Sequence, residues 1–125
     1  MLAELKKLLN LIDYNAYYLS SLMGFADQVI HWGPYFKRED TQFQIDLVYL
    51  RQDQVITVCE VKFHNQPISV DIVREIERKC QLIQIPRGYT LERALISRYG
   101  ADKALTKLSY FHHIISMADF FNASN

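Results

Sequence analysis

The amino-acid sequence predicts a single α/β domain over residues 1–125, built on a mixed β-sheet flanked by helices on both faces. Three observations carry that expectation. Hydrophobic residues make up 50% of the chain and no long polar tract interrupts them, which is enough for one core. Apolar spacing switches along the chain between helical and strand periods, in the order helix, three strands, helix, strand, helix, strand. A meander followed by a crossover helix and a further strand places parallel pairing beside antiparallel pairing in one sheet.

Each element has a local reason. From Leu2 to about Met23, Leu5, Leu8, Leu9, Ile12, Ala16 and Leu19 recur at helical spacing and Gly24 is a plausible stop. They form one long helix or two short ones broken near residues 10–15. The helix starts almost at Met1 with no capping residue ahead of it, the layout expected of a domain cut from a longer protein. Residues 29–32 read as a first strand, and the polar stretch 37–42 as a loop leading into a hairpin over 44–62. After 63–67 leave the sheet, Ser69 is the expected N-cap of a second helix, with Ile68 and Val73 as its hydrophobic staple. Ile72, Val73, Ile76, Cys80 and Ile83 supply the buried stripe, and Pro86 and Gly88 end the helix. A strand over 93–99, a short helix over 101–107, a strand over 110–115 and a closing helical turn over 117–121 complete the order.

Several function classes are excluded or left without support. Fourteen basic residues balance fourteen acidic ones, so no global field recommends nucleic acid, and none forbids it where basic residues cluster. The four glycines, Gly24, Gly33, Gly88 and Gly100, are scattered and build no phosphate loop, so this chain is not itself a P-loop ATPase. No apolar run approaches the roughly 20 residues that span a bilayer, and the first seven residues lack a secretory layout. A cytoplasmic protein with no membrane partner is expected. Cys59 and Cys80 fit buried core positions in a reducing compartment better than a disulfide. His112 and His113 alternate across a strand and no other His or Cys is spaced to join them, which argues against zinc. Tyr14, Tyr17, Tyr18 and Leu19 read as core or an interface, and His64 as a surface loop residue that could border a pocket.

The chemistry concentrates in the hairpin. Asp46, Glu60 and Lys62 stand in strands that are otherwise apolar on both faces, and charges placed there need a partner or a metal. Glu60 and Lys62 share one strand face with Ile56 and Val58. A turn centred on Asp53 sets Asp46 directly opposite Glu60 with their Cβ atoms about 5 Å apart, whereas a turn half a residue away puts them on opposite faces. Two adjacent carboxylates repel unless a cation lies between them, and Mg²⁺ takes one or two carboxylates while keeping positions for water and phosphate oxygens. Lys62 would then reach the same pocket, to orient an attacking water or stabilise transition-state charge. The plain alternative is an Asp–Lys or Glu–Lys ion pair at a sheet end.

An Asp followed by Glu-x-Lys on a hairpin, with a helix before and a helix after, resembles the PD-(D/E)XK nuclease superfamily on Asp46, Glu60 and Lys62. Ile45 stands where the superfamily pattern has proline. Over roughly residues 24–121, Gln44-Ile45-Asp46-Leu47, Arg51, Asp53, Val55-Ile56, Cys59-Glu60-Val61-Lys62-Phe63, Lys79, Ile96-Ser97-Arg98-Tyr99-Gly100 and Asp119-Phe120-Phe121 are similar to the C-terminal nuclease-like domain of bacterial AAA-type ATPases. The resemblance implies a restriction-endonuclease-like fold and a Mg²⁺- or Mn²⁺-dependent endonuclease acting on DNA, with Asp46 and Glu60 as metal ligands and Lys62 as the third catalytic residue. The alternative it implies is a non-catalytic DNA-binding or protein-docking domain of such an ATPase, with the ATPase domain in the same or a neighbouring chain. Paired cuts in duplex DNA would need a homodimer. Superfamily members often add an acid from the first helix, for which Glu4 and Asp13 are the candidates, although a residue such as Glu4 is more often just a solvated helix residue. Lys79, seven residues after Ile72, is placed either to meet a substrate phosphate or to snorkel at the stripe edge. Gln44 is placed either to bind substrate or a metal water, or only to support its neighbours.

Overall fold

The computed structural model describes residues 15–37 and 40–122, with side chains throughout except at residues 36, 37, 40–44, 121 and 122. Glu4 and Asp13 lie outside the described residues, as does the side chain of Gln44. Five strands, β1 (Val29–Lys37), β2 (Asp40–Arg51), β3 (Val55–Lys62), β4 (Thr90–Ser97) and β5 (His113–Ser116), form one sheet in sequence order. β1, β2 and β3 pair antiparallel, and β3, β4 and β5 pair parallel. Helix α1 occupies residues 15–22, followed by α2 (Ile72–Leu82), α3 (Lys103–Leu108) and α4 (Met117–Asn122). The chain therefore forms the mixed α/β sheet with flanking helices that its periodicities predict.

Two apolar layers sandwich the sheet. On one face Ala16, Leu19 and Met23 meet Leu47, Tyr49, Cys59, Val61, Ala94, Ile96 and Ile115. Tyr49 is fully buried there, its hydroxyl donating to the carbonyl of Ala16 and its ring set edge-on to Phe25 at 5.1 Å. On the other face Ile72, Ile76 and Cys80 of α2 and Leu105 of α3 cover Ile56, Val58 and Leu95. β3 lies between both layers, so all six of its interior residues are buried. Cys59 and Cys80 are free thiols in opposite layers.

Boundaries differ from the sequence reading where tertiary contacts outweigh local chemistry. β1 continues past Trp32 to Lys37 and carries Pro34, which the sheet tolerates because β1 is an edge strand. Residues 40–42, expected in a loop, belong to β2. β4 starts at Thr90 rather than at 93, and β5 at His113 rather than at 110. Ser69 does not cap α2. The helix begins at Ile72 with Asp71 as N-cap, and Ser69 makes a preceding turn in which its carbonyl accepts the Ile72 N–H at 3.3 Å. The cause lies one residue earlier: Ile68 is buried and bridged to Ala101, donating to Gly100 O at 2.9 Å and accepting from Asp102 N at 2.8 Å, so the chain stays extended there. Pro86 and Gly88 lie in the loop after α2, which already ends at Leu82.

The hairpin register follows from a tight, anchored turn. Gln52, Asp53 and Gln54 form the loop, with Gln54 in the left-handed region at φ 63, the conformation that closes a three-residue hairpin loop. Arg51 clamps Asp53 from Nε to Oδ1 at 3.0 Å and holds Glu92 of β4 at 2.9 Å. From there Leu50 pairs with Ile56, Tyr49 with Thr57, Val48 with Val58 and Leu47 with Cys59.

Truncating the α2 stripe tests this layering. Ile76→Ala, at a side chain 2% exposed, is expected to lower unfolding free energy by about 2–5 kcal/mol, against less than about 0.5 kcal/mol for exposed Arg78→Ala. Denaturant titration of the three proteins measures both; equal losses would mean that α2 does not pack as described.

Candidate functional site

The strand pairing that ends at Leu47 and Cys59 makes Asp46 and Glu60 the next residues on their two strands, the register set by a turn centred on Asp53. A β-bulge lies at this point. Between the pairs Gly33 with Val48 and Tyr35 with Ile45, β1 advances two residues while β2 advances three. Ile45 consequently packs in the α2 layer although Leu47, two residues on, packs in the α1 layer. The Asp46 carboxylate accepts the Val61 backbone N–H at 3.3 Å, a side chain serving as the acceptor beyond the end of the ladder.

Glu60 and Lys62 point into the α2 layer, where α2 supplies two further charges. Glu60 is 2% exposed. Its Oε1 lies 2.6 Å from Lys79 Nζ and 3.9 Å from Lys62 Nζ. Glu75 Oε1 in turn lies 3.2 Å from Lys62 Nζ and 3.5 Å from Lys79 Nζ. Lys79 thus faces the buried Glu60 rather than an open phosphate position, and the expectation of a snorkelling lysine is replaced by that of an internal ion pair. Glu75 was not evident from composition or motif. Its signal is the i,i+4 spacing to Lys79 on the edge of the Ile72–Ile76–Cys80 stripe.

Burial pushes the Glu60 carboxyl above its ordinary range, and Lys79 only partly counters it. Burial also raises Asp46 against the opposing pull of the Val61 N–H, Lys79 and Lys62. For Glu75 burial is outweighed by the two lysines, which bring the carboxyl below its usual value. Burial likewise opposes the charge on Lys79, but the Glu60 carboxylate prevails and raises its pKa. Two oxygens of Glu60 are therefore in different states: Oε1 is engaged, whereas Oε2 is buried with no hydrogen-bond partner.

That orphaned oxygen is the test of whether a cation fits. A buried carboxylate oxygen without a donor is costly, and a cation placed against it would remove the cost. Two carboxylates suit Mg²⁺ or Mn²⁺ completed by water and phosphate oxygens. Among the described residues no group of three or more His, Cys, Asp and Glu side chains is gathered to hold an ion. Asp46 and Glu60 could supply at most a labile two-carboxylate site, not a closed protein cage. His113 Nε2 lies 2.7 Å from Glu92, and His112 Nδ1 accepts the Arg93 N–H at 3.0 Å, so both histidines are engaged elsewhere.

Lys62 also lines an open cleft at the C-terminal edge of the parallel strands, together with Glu75, His64, Ser69 and Asp71. Open α/β sheets place ligands beyond this edge. Tyr17 is exposed, whereas Leu19 is buried and the Tyr18 hydroxyl donates to Phe120 O at 3.3 Å, so this stripe holds α1 to α4; Tyr14 is outside the described residues. No helix among the described residues is long and apolar enough to cross a membrane. No protein-family model, curated protein or solved structure matches the chain.

The raised carboxyls have a stability consequence with a definite sign. A carboxyl whose folded pKa exceeds its unfolded value binds protons more readily in the fold, so its contribution weakens as pH rises from the ordinary carboxylate value through the raised one. At neutral pH Asp46→Asn, which keeps an acceptor for Val61, is expected to raise Tm by a few degrees. Mn²⁺ is expected to raise the Tm of the wild type and leave that of the variant unmoved. Thermal melts by circular dichroism decide; a lower Tm for Asp46→Asn would contradict the electrostatic account.

Proposed function

We propose that this chain is a divalent-metal-dependent nuclease of the PD-(D/E)XK type, hydrolysing phosphodiester bonds in DNA with Mg²⁺ or Mn²⁺. One observation supports the reading: Asp46 and Glu60 directly follow the last ladder pair of the hairpin, Leu47 with Cys59, Glu60 keeps an unengaged buried oxygen, and Lys62 two residues on lines an open cleft. Asp46 and Glu60 would hold the metal. The ion would polarise a phosphoryl oxygen and lower the pKa of a bound water. Lys62, with a quarter of its side chain exposed, can leave Glu75 to orient the nucleophilic water or meet charge developing on the phosphate. The buried α2 and β3 side chains would hold these groups in place, and the neighbouring cleft lined by Lys62 and Glu75 would receive the substrate strand. A homodimer belongs to the proposal only for paired cuts in a duplex.

A second reading has its own support. Glu60 and Lys79 already neutralise one another at 2.6 Å, as expected of a site that has lost its metal and serves as a DNA-binding or docking domain attached to an AAA-type ATPase. The two readings separate in one experiment. Nicking of supercoiled plasmid that requires Mg²⁺ or Mn²⁺ is expected of the wild type, with Glu60→Ala and Lys62→Ala at least about 10²-fold slower. Lys62→Ala should retain Mn²⁺ binding by calorimetry, because Lys62 is not a ligand. Absence of Mg²⁺ and Mn²⁺ binding by the wild type, with DNA binding intact, would favour the appendage reading.

A further inference from the structure

We propose that Lys79 is a positioning residue for the cation site, holding Glu60 by Oε1 so that Oε2 alone is offered to the ion. The inference rests on the reading of Asp46 and Glu60 as the ligands of a divalent cation.

The two oxygens of Glu60 are made unequal by the fold. Lys79 Nζ is 2.6 Å from Oε1, a charge-assisted hydrogen bond, whereas Oε2 is enclosed without a donor. Lys79 has little freedom to move away. It is 9% exposed, and Ile72, Ile76 and Cys80 of the same helix are packed into the core on either side of it. Glu75 backs the ammonium at 3.5 Å, so its charge is contacted from both β3 and α2. Chelation through both Glu60 oxygens would require Lys79 to surrender its bond in a buried position. Coordination through Oε2 alone leaves that bond intact and satisfies the orphaned oxygen.

A contrary role would have the opposite sign. If the ammonium merely stood in the cation's place, removing it would tighten metal binding: three carboxylates, Asp46, Glu60 and Glu75, would then face one lysine instead of two. A positioning lysine gives weaker binding on removal, because Glu60 loses its orientation. Groups that orient metal ligands in this way typically account for 10–100-fold in affinity.

The test uses Mn²⁺ alone, titrated into the full chain by calorimetry with electron paramagnetic resonance of the bound ion. Lys79→Met is expected to raise the Mn²⁺ Kd about 10–100-fold, and Lys79→Arg, which keeps a charged donor, to recover most of the loss. An unchanged or lower Kd for Lys79→Met overturns the proposal while leaving the cation site standing. Wild-type protein that binds no Mn²⁺ overturns both. A second measurement needs no Lys79 variant to fold. The infrared difference spectrum of wild-type protein with and without Mn²⁺ should show a carboxylate band with the wide splitting of one-oxygen coordination, absent in Glu60→Gln. The narrow splitting of two-oxygen chelation would overturn the assignment.

Discussion

A carboxylate in the middle strand of a sheet, 2% exposed, must be matched by a cation, and Lys79 supplies it across the gap between β3 and α2. Much of the local architecture answers to that pairing. The crossover from β3 to β4 has to lay α2 over this face with its Lys79 edge towards Glu60, and the Ile72, Ile76 and Cys80 stripe provides the packing that does so. Glu75, one helical turn before Lys79, then falls within reach of Lys62 and closes the cluster. Breaking such a buried pair costs several kcal/mol because the remaining charge is stranded, so each member constrains the placement of the others.

The pairing is incomplete: it satisfies one oxygen of Glu60 and leaves the other without a donor. Stability alone would favour closing that gap with a neutral residue, as the raised carboxyls of Glu60 and Asp46 indicate. Costs of this kind cluster where a ligand is bound. At the opposite end of the sheet the same currency is spent differently. Arg51 is fully engaged by Asp53, Thr57 and Glu92 and stacks on Phe25 at 4.2 Å, so that network rigidifies the hairpin turn and leaves nothing unsatisfied to recruit a ligand. A rigid turn holds the register as far as the pair Leu47 with Cys59, one residue short of Asp46 and Glu60.

What was legible in the residues was the part governed by short-range periodicity. Alternation placed Glu60 and Lys62 on one face, a turn at Asp53 set the register as far as Leu47 opposite Cys59, and the stripe of α2 identified a helix that covers this face. The misreadings share a cause. Ser69 has the chemistry of an N-cap, but the long-range bridge from Ile68 to Ala101 delayed the helix to Ile72. The strand content of residues 40–42 and the length of β1 come from pairing between strands, which a polar local sequence conceals.

By itself the sequence determined the mixed α/β sheet, the hairpin and the identity of three charges that an apolar strand pair could not hold without compensation. Only the tertiary structure decided how that compensation is arranged: that Lys79 is an internal partner of Glu60, that Glu75 joins the two lysines, and that a bulge at Asp46 breaks the pleat beside the site. The physical reason is range. Periodicity reports which face a side chain shares within its own element, whereas an ion pair between β3 and α2 depends on the rotation and height at which separate elements pack, set by buried contacts all along their length.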